Sequence, residues 1–232
     1  MREFYIITID GPAGSGKSTA ARGLARRLGI RYFNSGALYR AIACLARRDG
    51  IALEDARAIV ETVRRTRFET RAVAGAEHVF LDGEDVTDRL FDNDVSREVY
   101  KVADPPEIRR EVGRLARELN AGVSFVTEGR DQGTEVFPEA TVKFYLDARP
   151  EVRAERRRLE LEARGQTLAR EEILRQILER DRRDRSRPVG ALRPAADAVV
   201  VDNSDLTADE TVARLDALVR ERCSKRLKAR KP

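Results

Sequence analysis

Gly11-Pro12-Ala13-Gly14-Ser15-Gly16-Lys17-Ser18 is the stretch on which the fold turns. It satisfies G-x-x-x-x-G-K-[ST] at every fixed position. Its glycines permit backbone angles that turn successive N–H groups inward, forming a nest for an anion. A helix starting directly after it aims the positive end of its dipole at the same point. Lys17 adds a cation for the outer phosphates of a nucleoside triphosphate, and Ser18 a hydroxyl ligand for Mg2+. The flanks agree with the motif. Phe4-Tyr5-Ile6-Ile7-Thr8-Ile9 is an almost unbroken apolar run, as in a strand buried on both faces of a parallel sheet, and it stops at Asp10-Gly11. From Lys17 to Leu28 the period becomes helical, with Ala20, Ala21, Leu24, Ala25 and Leu28 on one face and arginines outside. A chance glycine-rich turn is a poor account of a motif set between such a strand and such a helix.

Working outward, Val123–Thr127, Val142–Leu146 and Ala198–Val201 read as further strands. Ala37–Arg48, Pro106–Leu119, Glu151–Ala163, Arg170–Arg180 and Ala208–Arg220 read as helices. The alternation predicts an α/β fold with a parallel sheet. Two stretches interrupt it. Arg67–Arg89 alternates like strands (Phe68, Val73, Val79, Phe80, Leu81) around Gly75 and an Asp82-Gly83 turn, which predicts a small sheet-bearing insert. Arg149–Arg193 reads as an arginine-dense helical pair broken at Gly165.

The 232 residues suffice for one substantial domain with smaller inserts. Charged residues make up 37% and apolar residues 41%, with no run of 18 apolar residues, so nothing spans a membrane as a helix. With no signal pattern ahead of Phe4, the expected location is the cytoplasm. Cys44 and Cys223 lack the spacing of a zinc site or disulfide framework, and His78 is the single histidine. The net charge of +5 does not indicate a nucleic-acid partner. Lys225, Arg226, Lys228, Arg230 and Lys231 sit in a tail, 223–232, that has no acid. Setting those five of the 45 basic residues aside leaves the remainder matched by the 40 acidic ones.

A GTPase would require a D-x-x-G switch segment and an N-K-x-D base-reading segment, and neither is present in convincing form. A small-molecule kinase fits better. Three polar clusters are candidates for its acceptor side: Asn34-Ser35-Gly36 leading into Ala37-Leu38-Tyr39-Arg40, then Glu128–Thr134 directly after a strand, and Glu179–Arg187. In open α/β sheets ligands sit beyond the carboxyl ends of the strands, which suits the second cluster.

With these pieces in view, the sequence resembles the bacterial cytidylate kinases, a family of nucleoside-monophosphate kinases. The resemblance runs from Ile6 to about Val219. It rests on the phosphate loop, Asn34–Arg40, Phe80–Thr87, Glu128–Thr134 with Val136-Phe137-Pro138, and Glu179–Arg187. It implies transfer of the γ-phosphoryl group of ATP to CMP or dCMP with Mg2+, by a monomer. The implied architecture is a three-layer P-loop fold with a central parallel sheet. Its core spans about 1–33, 105–148 and 194–222, its monophosphate-binding insert about 34–104, and its helical lid about 149–193.

Residue by residue, the resemblance gives ATP to Gly11, Pro12, Ala13, Gly14, Ser15, Gly16, Lys17, Ser18 and Thr19, with Ser18 also a ligand of Mg2+. Arg40 and Arg130 would hold the acceptor phosphate. Ser35, Arg109, Asp131 and Arg187 would read the cytosine edge, and Arg180 with Asp184 the sugar. Tyr39 is grouped with the CMP residues, although packing is its more ordinary role. Lys17, Arg130 and the lid arginines Arg153 and Arg157 would serve the transferring group. Two positions depart from the family. Asn34 stands where Asp is usual, and Tyr100 where Ser commonly contacts the sugar.

The chemistry agrees with this reading. An acceptor phosphate is already anionic, so no general base is required, and the task is positioning and charge neutralisation. Arginine offers a planar fork for phosphate. Arg153 and Arg157, at i and i+4, would share a helix face. Plainer roles exist for the same residues. Ser35 can cap a helix, Asp131 can pair with Arg130, many arginines of 149–193 have acidic neighbours, and His78 reads as incidental surface. The alternatives are a P-loop kinase of another small acceptor, such as UMP, AMP or a shikimate-like metabolite, and a nucleotide-switched regulatory or nucleic-acid-binding module.

Overall fold

The computed structural model describes residues 4–73, 76–163 and 165–229, and of 93, 96 and 224–229 the backbone only. In chain order its strands are β1 (Ile6–Asp10), β2 (Arg31–Asn34), β3 (Phe68–Val73), β4 (Ala76–Leu81), β5 (Glu84–Asp85), β6 (Phe125–Gly129), β7 (Val142–Asp147) and β8 (Val199–Asp202). Its helices are α1 (Lys17–Leu28), α2 (Ser35–Arg48), α3 (Ala56–Arg65), α4 (Asn93–Ala103), α5 (Pro106–Leu119), α6 (Pro150–Glu162), α7 (Arg170–Ser186) and α8 (Ala208–Ala229). They form two compact units. The first comprises the chain up to Tyr32 and from Val123 onward; the second is Phe33–Gly122.

β1 is the axis of the first unit. In the sheet order β2-β6-β1-β7-β8 it lies centrally, parallel to β6 and β7, with β8 parallel to β7. Its alternate side chains go to opposite faces. Ile7 and Ile9 join Val126, Val142, Phe144, Leu146 and Val201 under α1 and α8, whose Ala20, Ala21, Leu24, Leu215 and Val219 complete that core. Thr8 and Thr127, both fully buried, face the other way. A π-type turn at Gln132–Val136 follows β6, and Phe137 just beyond it meets Phe125 edge-on at 5.2 Å. Burial on both sides is why β1 reads as a continuous apolar run.

α6 and α7 share a small core of their own, Ala154, Leu161, Ile173 and Ile177. α7 runs six residues past the expected end at Arg180. Its buried seam continues from Ile173 and Ile177 to Asp181 and Asp184, so the helix outlasts its apolar period. α8 likewise continues to Ala229. Of the basic tail, 230–232 and the side chains of Lys225, Arg226 and Lys228 lie outside the described residues.

The second unit holds the sheet β3-β4-β5, antiparallel throughout, with α2 to α5. Asp82 (φ +51°) and Gly83 (φ +88°) make the tight turn between β4 and β5 expected of Asp-Gly. Gly75, expected at the other turn, lies outside the described residues. α5 belongs to this unit, with α3 and β3 as packing partners, rather than to the core region expected from residue 105 onward. Both α3, capped by the Asp55 carboxylate accepting the Ala58 N–H at 2.9 Å, and α4 went unanticipated.

Candidate active site

The phosphate loop follows β1 without a gap. Gly11 leaves no room for a side chain, since a Cβ there would lie 2.0 Å from the Leu146 carbonyl oxygen. Gly16, at φ +85°, starts α1 from the left-handed region that glycine enters without strain. Lys17 is buried, and its Nζ donates to the Pro12 carbonyl at 2.6 Å. Burial, reinforced by the nearby Arg130 guanidinium, pushes its pKa down to about 7. Asp10 shifts the other way: burial pushes its carboxyl up to about 7, although N–H bonds from Gly133 and Gln132 oppose the rise. Ser18 Oγ donates to Glu128 Oε1 at 2.8 Å. Thr19 is exposed on the first turn of α1.

α6 and α7 close on the apex of this loop. Arg153 Nη1 donates to Asp181 Oδ2 at 2.7 Å and to the Ala13 carbonyl at 3.0 Å, while its Nε donates to the Ala148 carbonyl. Asp181 Oδ1 accepts the Ala13 N–H at 3.4 Å. Both polar groups of Ala13 are thus tied to one ion pair whose members are 2% and 1% exposed. Three residues along α6, Arg156 donates to the side-chain and backbone oxygens of Asn203, and Asn203 Nδ2 donates to the Ser15 carbonyl at 3.0 Å.

Arg153 and Arg157 therefore do not converge on one point. Arg157 pairs with Glu160 at 3.0 Å on the solvent side of α6, because that carboxylate lies one turn away. Arg156 and Asn203 are the residues that sequence reading missed. Arg156 sits among three consecutive arginines with nothing to single it out.

The cluster after β6 meets the end of α7. Arg130 Nε donates to Asp184 Oδ2 at 2.7 Å, and Arg187 bridges the other Asp184 oxygen at 2.6 Å. Burial works against the charge on Arg130, but Asp184, Glu128 and Asp181 outweigh it and its pKa rises. Burial likewise opposes ionisation of Asp184, and Arg130, Arg187 and Arg180 outweigh that, holding its carboxyl low. Asp131 is buried beside Arg130, and Arg180 is exposed on α7 with its charge felt at both Lys17 and Asp184. Such a set of cations around an inward-turned loop can bind and neutralise phosphate.

In the second unit, Ser35 is buried as the first residue of α2. The preceding N–H, of Asn34, is held by Glu77 Oε2 at 3.0 Å. The Arg109 guanidinium lies over the Tyr39 ring at 5.4 Å and donates to the Ala103 carbonyl at 2.7 Å. Arg40 donates to the Leu90 carbonyl at 3.1 Å and lies over Phe91. Tyr100 is exposed on α4. His78 bonds Asp85 at 2.7 Å across the hairpin.

A parallel sheet whose central strand delivers this loop into α1, with a buried lysine at its end, defines a P-loop kinase. A solved gluconokinase from Sinorhizobium meliloti shares the fold, at TM-score 0.51 and 16% identity over 99% of this chain and 100% of that one. The family model described as Cytidylate kinase matches residues 7–221. A cytidylate kinase of Rhodopirellula baltica is 42% identical over 216 residues, 93% of each chain. One of Pelotomaculum thermopropionicum is 44% identical over 220 residues, 94% of this chain and 97% of that one. The chain belongs to the cytidylate kinase family.

Proposed function

We propose that the chain transfers the γ-phosphoryl group of ATP to CMP or dCMP, giving ADP and CDP or dCDP, as a cytoplasmic monomer of pyrimidine nucleotide metabolism. The supporting observation is the run of buried and half-buried polar groups from Lys17 and Ser18 through Glu128 and Arg130 to Asp184 and Arg187, in a chain of this family. Gly11 to Thr19 hold the triphosphate, Lys17 neutralising its outer phosphates. The Ser18 hydroxyl, with the Glu128 carboxylate beside it at 2.8 Å, offers hard oxygen that would hold Mg2+. When bound, that ion shields the charge spreading over the transferring group. Arg130 and Arg40 hold the acceptor phosphate. Asp131, Ser35, Arg109 and Arg187 read the cytosine, with Tyr39 beneath Arg109, and Arg180 with Asp184 takes the sugar. The pair α6–α7 serves as a lid and the second unit as the monophosphate-binding insert. Because Arg153 already holds Asp181 and Ala13, its role in transfer is to fix the loop.

The test is ADP release from ATP–Mg2+ with CMP, dCMP, UMP, AMP and GMP as acceptors. CMP and dCMP turn over fastest, and a faster rate with UMP or AMP sinks the specificity claim. Asp131→Ala lowers kcat/KM for CMP by about 100-fold, in line with the loss of a charged hydrogen bond of about 3 kcal/mol, and spares residual turnover of UMP. An equal loss with every acceptor would show that Asp131 does not read the base.

A pH dependence follows from Lys17, whose pKa near 7 must rise when phosphates sit beside it. Between pH 7.5 and 9 the free site is mostly deprotonated and the bound site protonated. ATP binding then takes up close to one proton, and its Kd weakens by up to about tenfold per pH unit. Calorimetric titrations in buffers of different ionisation enthalpy measure that uptake directly. Lys17→Arg, charged throughout, shows none.

A further inference from the structure

Asp10 has no part in the roles given above, yet its carboxylate is buried and held at both oxygens. It is the last residue of β1, directly before Gly11, and is 4% exposed. Its Oδ1 accepts the Gln132 N–H at 2.8 Å and its Oδ2 the Gly133 N–H at 2.7 Å. Its backbone meanwhile stands in parallel register with Gly129 at the end of β6. One residue therefore holds both ends of a two-residue bridge: Gly129 by strand pairing and Gln132 by side chain. The bridge is Arg130-Asp131.

Neighbouring contacts stiffen the same turn. Thr127 Oγ1 donates to the Gln132 side-chain oxygen at 3.1 Å. Gly133 is pressed so close to β1 that a Cβ would lie 2.8 Å from Thr8 Oγ1 and 3.2 Å from the Lys143 side chain. The charge of the nearby Lys17 ammonium also favours the carboxylate, but the Gly133 and Gln132 N–H groups favour it more. Two neutral N–H groups are what this buried charge satisfies, and two acceptor oxygens at fixed spacing are what a carboxylate supplies and an amide does not.

We propose that Asp10 is a positioning residue for the acceptor nucleotide, setting where Arg130 and Asp131 stand although it touches neither substrate itself. The proposal rests on the CMP reading of those two residues. Its position beside Gly11 makes the test discriminating, since a local structural defect would damage the triphosphate loop first. In Asp10→Asn one oxygen keeps one N–H, and the amide NH2 confronts the other. Steady-state kinetics of the whole chain should show KM for CMP raised about tenfold, equivalent to about 1.4 kcal/mol, with KM for ATP within twofold of wild type.

Gly133→Ala moves the same turn without altering Asp10 and should give the same CMP-selective change; it carries the test if Asp10→Asn does not fold. Equal rises in both KM values, or a fall in kcat or Tm with both KM values unchanged, would overturn the proposal. A wild type that fails to phosphorylate CMP would overturn the reading beneath it, and that result is visible before any variant is made.

Discussion

Lys17→Ala lowers kcat with CMP by at least about 10³-fold, roughly 4 kcal/mol of transition-state stabilisation, and the loss is the same with dCMP. The reason lies in how the lysine is kept. It is buried, its proton is held loosely, and its one described hydrogen bond is to the Pro12 carbonyl within the loop itself. A cation in that condition gains most when anionic charge develops beside it, because it has little water to give up. Folding gains nothing comparable from it. A lysine whose pKa is lower in the folded than in the unfolded chain makes unfolding take up a proton between about pH 7 and 10.5. Its contribution to stability is therefore least favourable at and below pH 7 and improves as pH rises across that window. Lys17→Ala should thus retain or slightly raise Tm at pH 7 while activity disappears, and paired calorimetry and ADP-release measurements separate the two effects. A variant that lost stability along with turnover would show that Lys17 supports the fold instead.

Arg153→Met should have the largest effect on stability. Removing one member of a buried ion pair leaves the other uncompensated and costs about 3–5 kcal/mol. For a chain of this size that lowers Tm by about 10 °C. Asp181 would be left 1% exposed with only the Ala13 N–H, at 3.4 Å. The double variant Arg153→Met/Asp181→Leu removes both charges and should recover more than half of the loss, because the remaining neighbours on those helices, Ala154 and Ile177, are apolar. Its activity should stay low, since the Ala13 peptide has lost both of its anchors. Differential scanning calorimetry on the two variants decides the matter. A single variant within 1 °C of wild type would mean that the pair carries no weight in the fold.

The fold was legible from residues 4–28 because two rules act there together: β1 must be apolar on both faces, and the loop must be glycine where backbone crowds it, as at Gly11 against Leu146. α5 was legible to the residue, since Pro106 opens it and its apolar face runs through Ile108, Val112 and Leu115. The end of α7 was hidden because its buried seam passes from isoleucine to aspartate, which periodicity counts as surface. α3 carried a readable cap at Asp55, but its apolar face is only Ala56, Ile59 and Val63.

Within the candidate site, motif residues were visible as motif. Their pairings were not. Glu128, Asp181 and Asn203 matter through the atoms they meet from 28 to 188 positions away, and a single sequence holds no record of such meetings. The i, i+4 spacing of Arg153 and Arg157 was correct arithmetic, but Glu160 settled which way Arg157 points.

The seam of α7 has a consequence for how tightly the α6–α7 pair is fastened. Hydrocarbon contacts resist separation at any ionic strength, whereas a seam ending in Asp181 and Asp184 is held by partners that a polyanion can compete for. Arg153, Arg130 and Arg187 are the guanidinium groups that hold that seam, and the first two lie within reach of the loop that receives phosphates. On the proposed function, a phosphate arriving there would contend with Asp184 for Arg130. The α6–α7 pair would on that function be coupled to the nucleotide by substitution of one anion for another, with no requirement for a signal to travel through the core.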